Sequence, residues 1–585
     1  MVQRSLYVLL ASLVLAAAAA AQPRPLWPGV TYEEQVLFTL HGPVVMHVIT
    51  GPRPGGTTSL VPLLSNDSLL GRETVTSMQQ RASAGATTAG ISGDFSAFAT
   101  GLPSGVLIRE SELLHPPSGD RSSAAVLTDG TLEVRRVSFF ATWQGAGAKR
   151  VLNDLNGPVP ENGAALYTSV YGPATPSYSG GAAVVLFPFP AAVAGADLGA
   201  TVVEARGAGS VPIPAGGAVL VARGQSARAL VAEASVGTTL TTHFILRPDW
   251  PGVVSAVGGG PQLVRDGKPI FRANEGFLRS QLRPRAPRAA VGQLSDGRIV
   301  LVAVDGRQPG YSTGMTNWEL AQALVRLGAV TAMGLDGGGS VTMAFDGQLV
   351  NRPSDGIERA IGDALVFAYT GAYVPPPKGL VSPDGDGFHD RETLRYKLVR
   401  PSTATVTLTT PDGTVAYTQT GEQRPGTVEL TFPPPTDAST LAADARVADE
   451  IPQGRWRLSV SAVDDLGQTS TMSQSFVVNS TIGFLASTPP KLYLPPAGSD
   501  LLISWQQTRS AYVTVTLETR TGEVVRTLAK RRYDSALAVV RWNGLGRDLK
   551  PVPGGWYVIR AVARNGLGST EITRDVRVQR VVGPK

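Results

Sequence analysis

The segment TVTLTTPDGTVAYT, beginning at Thr405, returns as TVTLETRTGEVVRT beginning at Thr514. Likewise IPQGRWRLSVSAVDDLGQTS at Ile451 returns as VPGGWYVIRAVARNGLGSTE at Val552. Both copies alternate apolar and polar residues, turn at a glycine and restart on a Gly-aromatic strand. Side chains of a strand point alternately to its two faces, so a period of two buries one face and requires a second layer against it. Two copies therefore predict two tandem all-β immunoglobulin-like sandwiches, residues 380–487 and 488–585, with the break near Ser487-Thr488-Pro489-Pro490. Ahead of them YVPPPKG, Tyr373 to Gly379, predicts a stiff proline-rich spacer over residues 374–379.

The residues before the spacer are also mostly strand-like. With 66 Gly, 44 Pro and only 17% charged residues, the chain favours many short strands joined by turns. One helix is legible in TNWELAQALVRLGA. Thr316 and Glu319 form a capping box, Leu320, Leu324 and Leu327 make an apolar face, and Gly328 stops it. The helix lies between RIVLVAVDGR and the run that ends on Asp336, so strand, helix and strand suggest a crossover. That arrangement places Asp305, Arg307 and Asp336 near strand C-termini, where ligand crevices form in open α/β sheets. The expected fold class is a β-rich α+β domain with a mixed sheet, followed by the two sandwiches.

Arg4 precedes the apolar core LYVLLASLVLAAAAAA, which ends at Ala19-Ala20-Ala21, the layout of a secretory signal over residues 1–21. No later run approaches the ~20 apolar residues of a membrane helix, so no transmembrane span is expected after signal cleavage. The chain has no cysteine, which excludes disulfides, thiol nucleophiles and Cys-ligated metals. A secreted or periplasmic, bacterial cell-envelope location fits. The formal charge of +6 is modest for 585 residues, without a Lys/Arg block or an aromatic-interleaved basic stripe in the sequence. Nucleic acid is not the expected partner; weak attraction to anionic envelope polymers is compatible with this charge.

The densest chemistry is TAMGLDGGGS, Thr331 to Ser340. An apolar run ends on Asp336, and Gly337, Gly338 and Gly339 then deliver the hydroxyl of Ser340. Three glycines allow close approach of backbone to a ligand. A tight hairpin turn is the plain alternative, but NRPSDG and Glu358-Arg359 follow in order and add polar groups that a turn does not need. No GxSxG elbow, Walker sequence or zinc-type His/Glu spacing is present, and none of the five histidines sits in a motif with Ser340.

The order of motifs from Pro287 to Phe367, with DGR, DGGGS and PSDG followed by ER, resembles the phosphodiester glycosidase family. AGISGDFSAFATG at Ala89 and AVGGGPQLVRDGKP at Ala256 extend the likeness, which spans residues 30–373. Ser92, Ala286, Ala289 and Gly334 stand where relatives carry Asn, His, Thr and Asn. The WNGLGRDLKPVPGGWYVIRAVA stretch at Trp542 resembles a FlgD-like sandwich, and SPDGDG at Ser382 resembles the start of bacterial immunoglobulin-like domains.

The resemblance implies an exported glycosidase that hydrolyses the glycosidic bond of a sugar-1-phosphodiester in envelope or extracellular glycans. Such a bond expels a phosphate monoester, already a stable anion, so protonating the leaving group matters less than in ordinary glycosides. A carboxylate for the oxocarbenium-like sugar and arginines for phosphate are what remain. Asp336 is the first choice for that carboxylate, with Asp94 and Glu319 as further catalytic candidates, although capping alone explains Glu319. Arg288, Arg307 and Arg359 are candidate phosphate partners. Asp305, Asp355, Gly337, Gly338, Gly339 and Ser340 complete the expected substrate-binding set. The alternative is a catalytically degenerate glycan-binding or exopolysaccharide-associated protein. No cofactor is required for the reaction. Asp384, Asp386 and Asp390 alternate with glycines in one loop and admit two readings, a structural calcium site or a turn-rich lead-in to the strand TLRYKL; Thr393 stands where an EF-hand has its glutamate.

Overall fold

The computed structural model describes residues 22–207, 209–270, 274–377, 379–434, 451–494 and 500–580. The signal-like segment 1–21 and Lys378 of the spacer lie outside them. The chain divides into two compact units, one ending at Thr370 and one beginning at Gly371. Among the described residues, no helix is long and apolar enough to cross a membrane.

The first unit is β-rich. An eight-stranded sheet runs Arg24–Trp27, Val30–Thr39, Gly42–Gly51, Ile299–Val304, Arg288–Leu294, Ala329–Leu335, Gln262–Arg265 and Lys268–Pro269. Every neighbouring pair in it is antiparallel. The expected crossover is present in modified form. Ile299–Val304 and Ala329–Leu335 flank Arg288–Leu294 on its two sides, so they run parallel to each other without touching. Parallel pairing in this unit occurs between Asp154–Leu155 and Ala164–Thr168, in a second eight-stranded sheet.

A five-stranded sheet, Gln348–Leu349, Met343–Phe345, Thr87–Ser92, Asp363–Tyr369 and Thr58–Leu64, lies against the first. Trp27 of the large sheet stacks on Tyr369 at 5.6 Å between ring centroids and approaches Phe345 at 5.9 Å. Thr87–Ser92 and Asp363–Tyr369 are buried along their whole length, which explains near-continuous apolar runs in place of alternation.

The helix Asn317–Arg326 begins at the Thr316–Glu319 capping box and buries Leu320 and Leu324. These side chains join Val44, Val300, Val302 and Ala332 in one core, so the apolar stripe fixes the helix on the large sheet.

In the second unit, Ser402–Thr409 pairs with Gly454–Asp464 in a four-stranded sheet, and Ala511–Thr519 pairs with Gly555–Asn565 in a five-stranded one. The repeated segments thus occupy the same place in two sheets. Each sheet shares a core with a smaller one. Phe432 packs edge-on to Trp456 and Phe476, while Leu501, Ile503 and Trp505 meet Val513, Val515 and Ile559.

Candidate active site

Three largely buried strands end, or begin, at or beside an aspartate at one place. Asp336 follows Ala329–Leu335, Asp94 follows Thr87–Ser92 by one residue, and Asp363 opens Asp363–Tyr369. Pairing brings them together, since Ser92 lies opposite Ala364 and the Asp336 N–H donates to Gly93 O at 2.9 Å. Asp94 accepts the N–H groups of Gly105 at 2.6 Å and Phe95 at 2.7 Å. Asp363 Oδ1 accepts the Asp94 N–H at 2.8 Å. Asp363 Oδ2, Ser92 Oγ and Thr342 Oγ1 are buried without a hydrogen-bond partner in the protein.

Burial dominates the protonation of all three acids, because a charge loses its hydration there. Asp336 is pushed up to about 6, opposed by the Ser340 hydroxyl, the Arg359 charge and the Gly337 N–H. Burial, with the Asp336 charge, pushes Asp94 to about 7 against its two backbone donors and Arg121. Asp363 is raised well above the carboxylate range by burial and then by Asp94 and Asp336. Of the three, Asp336 is raised least and Asp363 most, so near neutral pH Asp336 is the most ionised member.

Asp336 also faces a cavity of about 430 Å³, within the range of small-molecule sites. Gly337 and Gly338 form part of its wall beside Arg288, Arg307, Phe95 and Phe277. The two phenyl rings lie 5.5 Å apart, with Arg121 over both. Ala286, Ala289 and Gly334 line it as well, so three of the four named positions that depart from the family pattern face the same space, and Ser92 does not.

The candidate arginines differ in availability. Arg288 donates to the carbonyls of Met315, Gln281, Leu282 and Pro284, which leaves one of its five N–H groups for a ligand. Burial and the Arg307 charge lower its pKa to about 10. Its main work is to hold the wall formed by residues 281–284. Arg307, in left-handed backbone at φ 58°, is exposed and has no ion pair among the described residues. Arg359 pairs with Asp355, its Nε 3.0 Å from Oδ2, and lies over Gly339. A Cβ at Gly339 would fall 2.0 Å from Arg359 Nη2, so a side-chain-free residue is needed for this close approach.

Of the expected residues, Asp94, Asp305, Glu319, Gly339, Ser340, Asp355 and Arg359 lie outside the cavity lining. Asp305 is buried and accepts from Tyr311 at 3.0 Å, Asn351 at 2.9 Å and the Arg352 N–H at 3.0 Å, with His47 Nε2 also at 3.0 Å. All its lone pairs are used in anchoring the turn at residues 351–352. Glu319 closes the capping box and pairs with Arg285. Its carboxylate is occupied there, as helix capping alone predicts. Asp94 does not line the cavity either and stands behind Asp336.

Asp363 is absent from the sequence-derived set. Its signal was nevertheless the one shared by Asp94 and Asp336, a lone carboxylate at or beside a strand end. Far away in sequence, Asp384, Asp386 and Asp390 each bring a carboxylate oxygen within 4.8 Å of the others. Those oxygens also accept N–H groups of Gly385, Asp386, Gly387, Phe388 and Phe484. Burial, then the neighbouring acids, raises Asp384 to about 7.

Residues 191–368 match the family model for phosphodiester glycosidase. That stretch is similar to the phosphodiester glycosidase family. Over 118 residues it is 39% identical to the SPbeta prophage-derived uncharacterized protein YomE of Bacillus subtilis (strain 168), covering 20% of this chain and 18% of that protein. Over 68 residues it is 43% identical to N-acetylglucosamine-1-phosphodiester alpha-N-acetylglucosaminidase of Bos taurus, 12% of each chain. The matched stretches are thus less than a fifth of these relatives. A hypothetical protein from Synechocystis superposes with a TM-score of 0.49 at 27% identity, covering 58% of this chain and 62% of that one. The matched residues 191–368 contain Asp336 and Asp363, and Asp94 precedes them.

Proposed function

We propose that the first unit is an exported glycosidase that hydrolyses the glycosidic bond of a sugar-1-phosphodiester in envelope or extracellular glycans. The observation that carries this reading is Asp336, the most ionised member of the buried acid cluster, facing a cavity beside Arg307. The sugar sits over the glycines with its anomeric carbon toward Asp336, and the phosphate lies toward Arg307, with Arg359 adjacent. The Asp336 carboxylate stabilises positive charge developing on the sugar, as nucleophile or as base for water. Arg307 offsets the phosphate charge. Ser340 and the Gly337 N–H orient the carboxylate. Asp94 and Asp363, holding their protons, keep the cluster from accumulating three negative charges behind it.

The immunoglobulin-like sandwiches, residues 380–487 and 488–585, serve in this reading as modules that present the enzyme within the envelope. The repeated strand pairing and the shared sheet cores support that assignment.

The test uses a sugar-1-phosphate methyl ester and measures free sugar together with methyl phosphate. Turnover by the native chain and its loss in Asp336→Asn are expected. The second reading, a glycan-binding protein without turnover, is favoured by Ala286, Ala289 and Gly334, which offer the cavity no side-chain hydrogen bonds. Glycan binding by the native chain that survives Asp336→Ala, with no turnover, would replace the enzyme by that reading.

A further inference from the structure

The chain's positive charge is concentrated at one end. Residues 488–585 hold 16 Lys/Arg and 7 Asp/Glu, a net +9, whereas the whole chain carries +6, so the remaining residues sum to −3. The five-stranded sheet of this segment has one face in the core, with Val513, Val515, Ile559 and Ala561. Its other face is open, and strand register arranges the charges on it in rows.

At one end of that face Arg532, Tyr512 and Arg564 lie directly opposite one another on three adjacent strands. Tyr512 is 46% exposed, and both arginines are exposed. Lys530 sits two residues along from Arg532 and is also exposed. At the other end Trp556, Arg577 and Lys491 are opposite one another on another set of three adjacent strands. Trp556 is 47% exposed, with the guanidinium carbons of Arg520 and Arg577 5.2 and 5.8 Å from its ring centroid. Between the ends lie Glu518, Glu571 and Asp575, held by Arg560 and Arg520. Eight strand positions separate Tyr512 from Arg520, so the two aromatic ends are about 26 Å apart. This pattern is spread over five strands, which is why no basic block or stripe is visible along the sequence.

We propose that this face binds an anionic polysaccharide, a chain of sugars bearing carboxylate or phosphate groups. The basic rows complement the charges, the aromatic residues offer apolar surface to sugar rings, and the acids in the middle accept sugar hydroxyls. Those same acids disfavour nucleic acid, whose closely spaced phosphates would lie against them along the whole face. The site is separate from the Asp336 cavity and binds whether or not that cavity turns over substrate.

The test is affinity electrophoresis of the full chain in gels containing polygalacturonate, phosphorylated dextran or neutral dextran. Binding of oligo(dT) is measured in parallel by fluorescence anisotropy. Retardation by either anionic polymer but not by neutral dextran is expected. Trp556→Ala and the double variant Lys530→Glu/Arg532→Glu should each weaken it at least fivefold while preserving the circular dichroism spectrum. If Trp556→Ala disturbs folding, Tyr512→Ala takes its place as the aromatic variant. No retardation by either anionic polymer would overturn the proposal, as would retardation insensitive to the charge variant or to the aromatic variant. Equal or tighter binding of oligo(dT), lost in the same variants, would make this a nucleic-acid face instead.

Discussion

Asp363→Asn tests the acid cluster directly. In an unfolded chain the three aspartates release their protons near pH 4. In the fold Asp336 holds its proton to about pH 6, Asp94 to about pH 7, and Asp363 beyond the usual carboxylate range. A carboxyl with a raised folded pKa keeps a proton that the unfolded chain gives up. Its contribution to stability is therefore intact below about pH 4 and is lost as pH rises toward the folded value. Each retained proton costs about 1.4 kcal/mol per pH unit. Asp363 is the member raised furthest above the carboxylate range, by burial and then by Asp94 and Asp336, so its cost to stability continues to grow above about pH 7. His115, whose pKa burial lowers, acts below its ordinary value of about 6.5 and leaves that range undisturbed.

An asparagine at 363 keeps an oxygen for the Asp94 N–H and carries no charge. The native chain should lose opening free energy as pH rises above 7 in peptides covering residues 87–92 and 363–369, by up to about 1.4 kcal/mol per pH unit, and the variant should lose less. Hydrogen exchange followed by mass spectrometry, corrected for intrinsic rates, reads this locally and is insensitive to the second unit's unfolding. A flat native profile, or the same slope in both proteins, would refute the reasoning that Asp363 is buried as a neutral acid.

Four other outcomes follow from the same geometry. Turnover of the sugar-1-phosphate ester should fall as pH drops through about 6, where Asp336 takes up its proton, and a profile flat from pH 5 to 8 would remove Asp336 from the chemistry. Gly339→Ala places a Cβ against Arg359 Nη2, a movable side-chain end, so it should raise KM about tenfold with little change in Tm; unchanged kinetics would exclude Arg359 from the phosphate site. Methyl glycosides of the same sugar should be inert to the enzyme, and comparable rates on both would contradict the leaving-group argument. Millimolar calcium should raise the unfolding temperature of the second unit by a few degrees in the native chain but not in Asp386→Asn, and no shift in the native chain would leave the loop as a hydrogen-bonded turn.

Local signals carried well from sequence to structure. The capped helix, the paired repeats and the glycine bed all depend on residues close in sequence, and each was legible. What escaped needed long-range pairing. Asp363 joins Asp94 only because Asp363–Tyr369 lies beside Thr87–Ser92, and nothing in IGDALVF marks that neighbour. Asp305 and Arg288, the latter in the cavity lining, show the converse. Both stand in motifs that suggest ligand contact, yet their polar groups are taken up by Asn351 and Arg352 in one case and by main-chain carbonyls in the other. Motif spacing reports that a polar group is present; only the fold reports whether it is still free.

That distinction bears on the chemistry. Hydrolysis of an ordinary glycoside calls for two carboxyl groups flanking the bond, one to protonate the departing oxygen and one on the opposite face. Here the protonated acids, Asp94 and Asp363, do not line the cavity, while the acid that does, Asp336, is the most ionised near neutral pH. Glu319, the other acid near the cavity's helix, is tied to Thr316 and Arg285. Among the described residues the cavity lining holds one carboxylate, Asp336, and an exposed guanidinium, Arg307. A phosphate monoester leaves as a stable anion and needs a cation more than a proton. Under the proposed function this arrangement of charges around Asp336 suits a phosphate leaving group, and the inertness of methyl glycosides is the measurement that separates this physical argument from the resemblance.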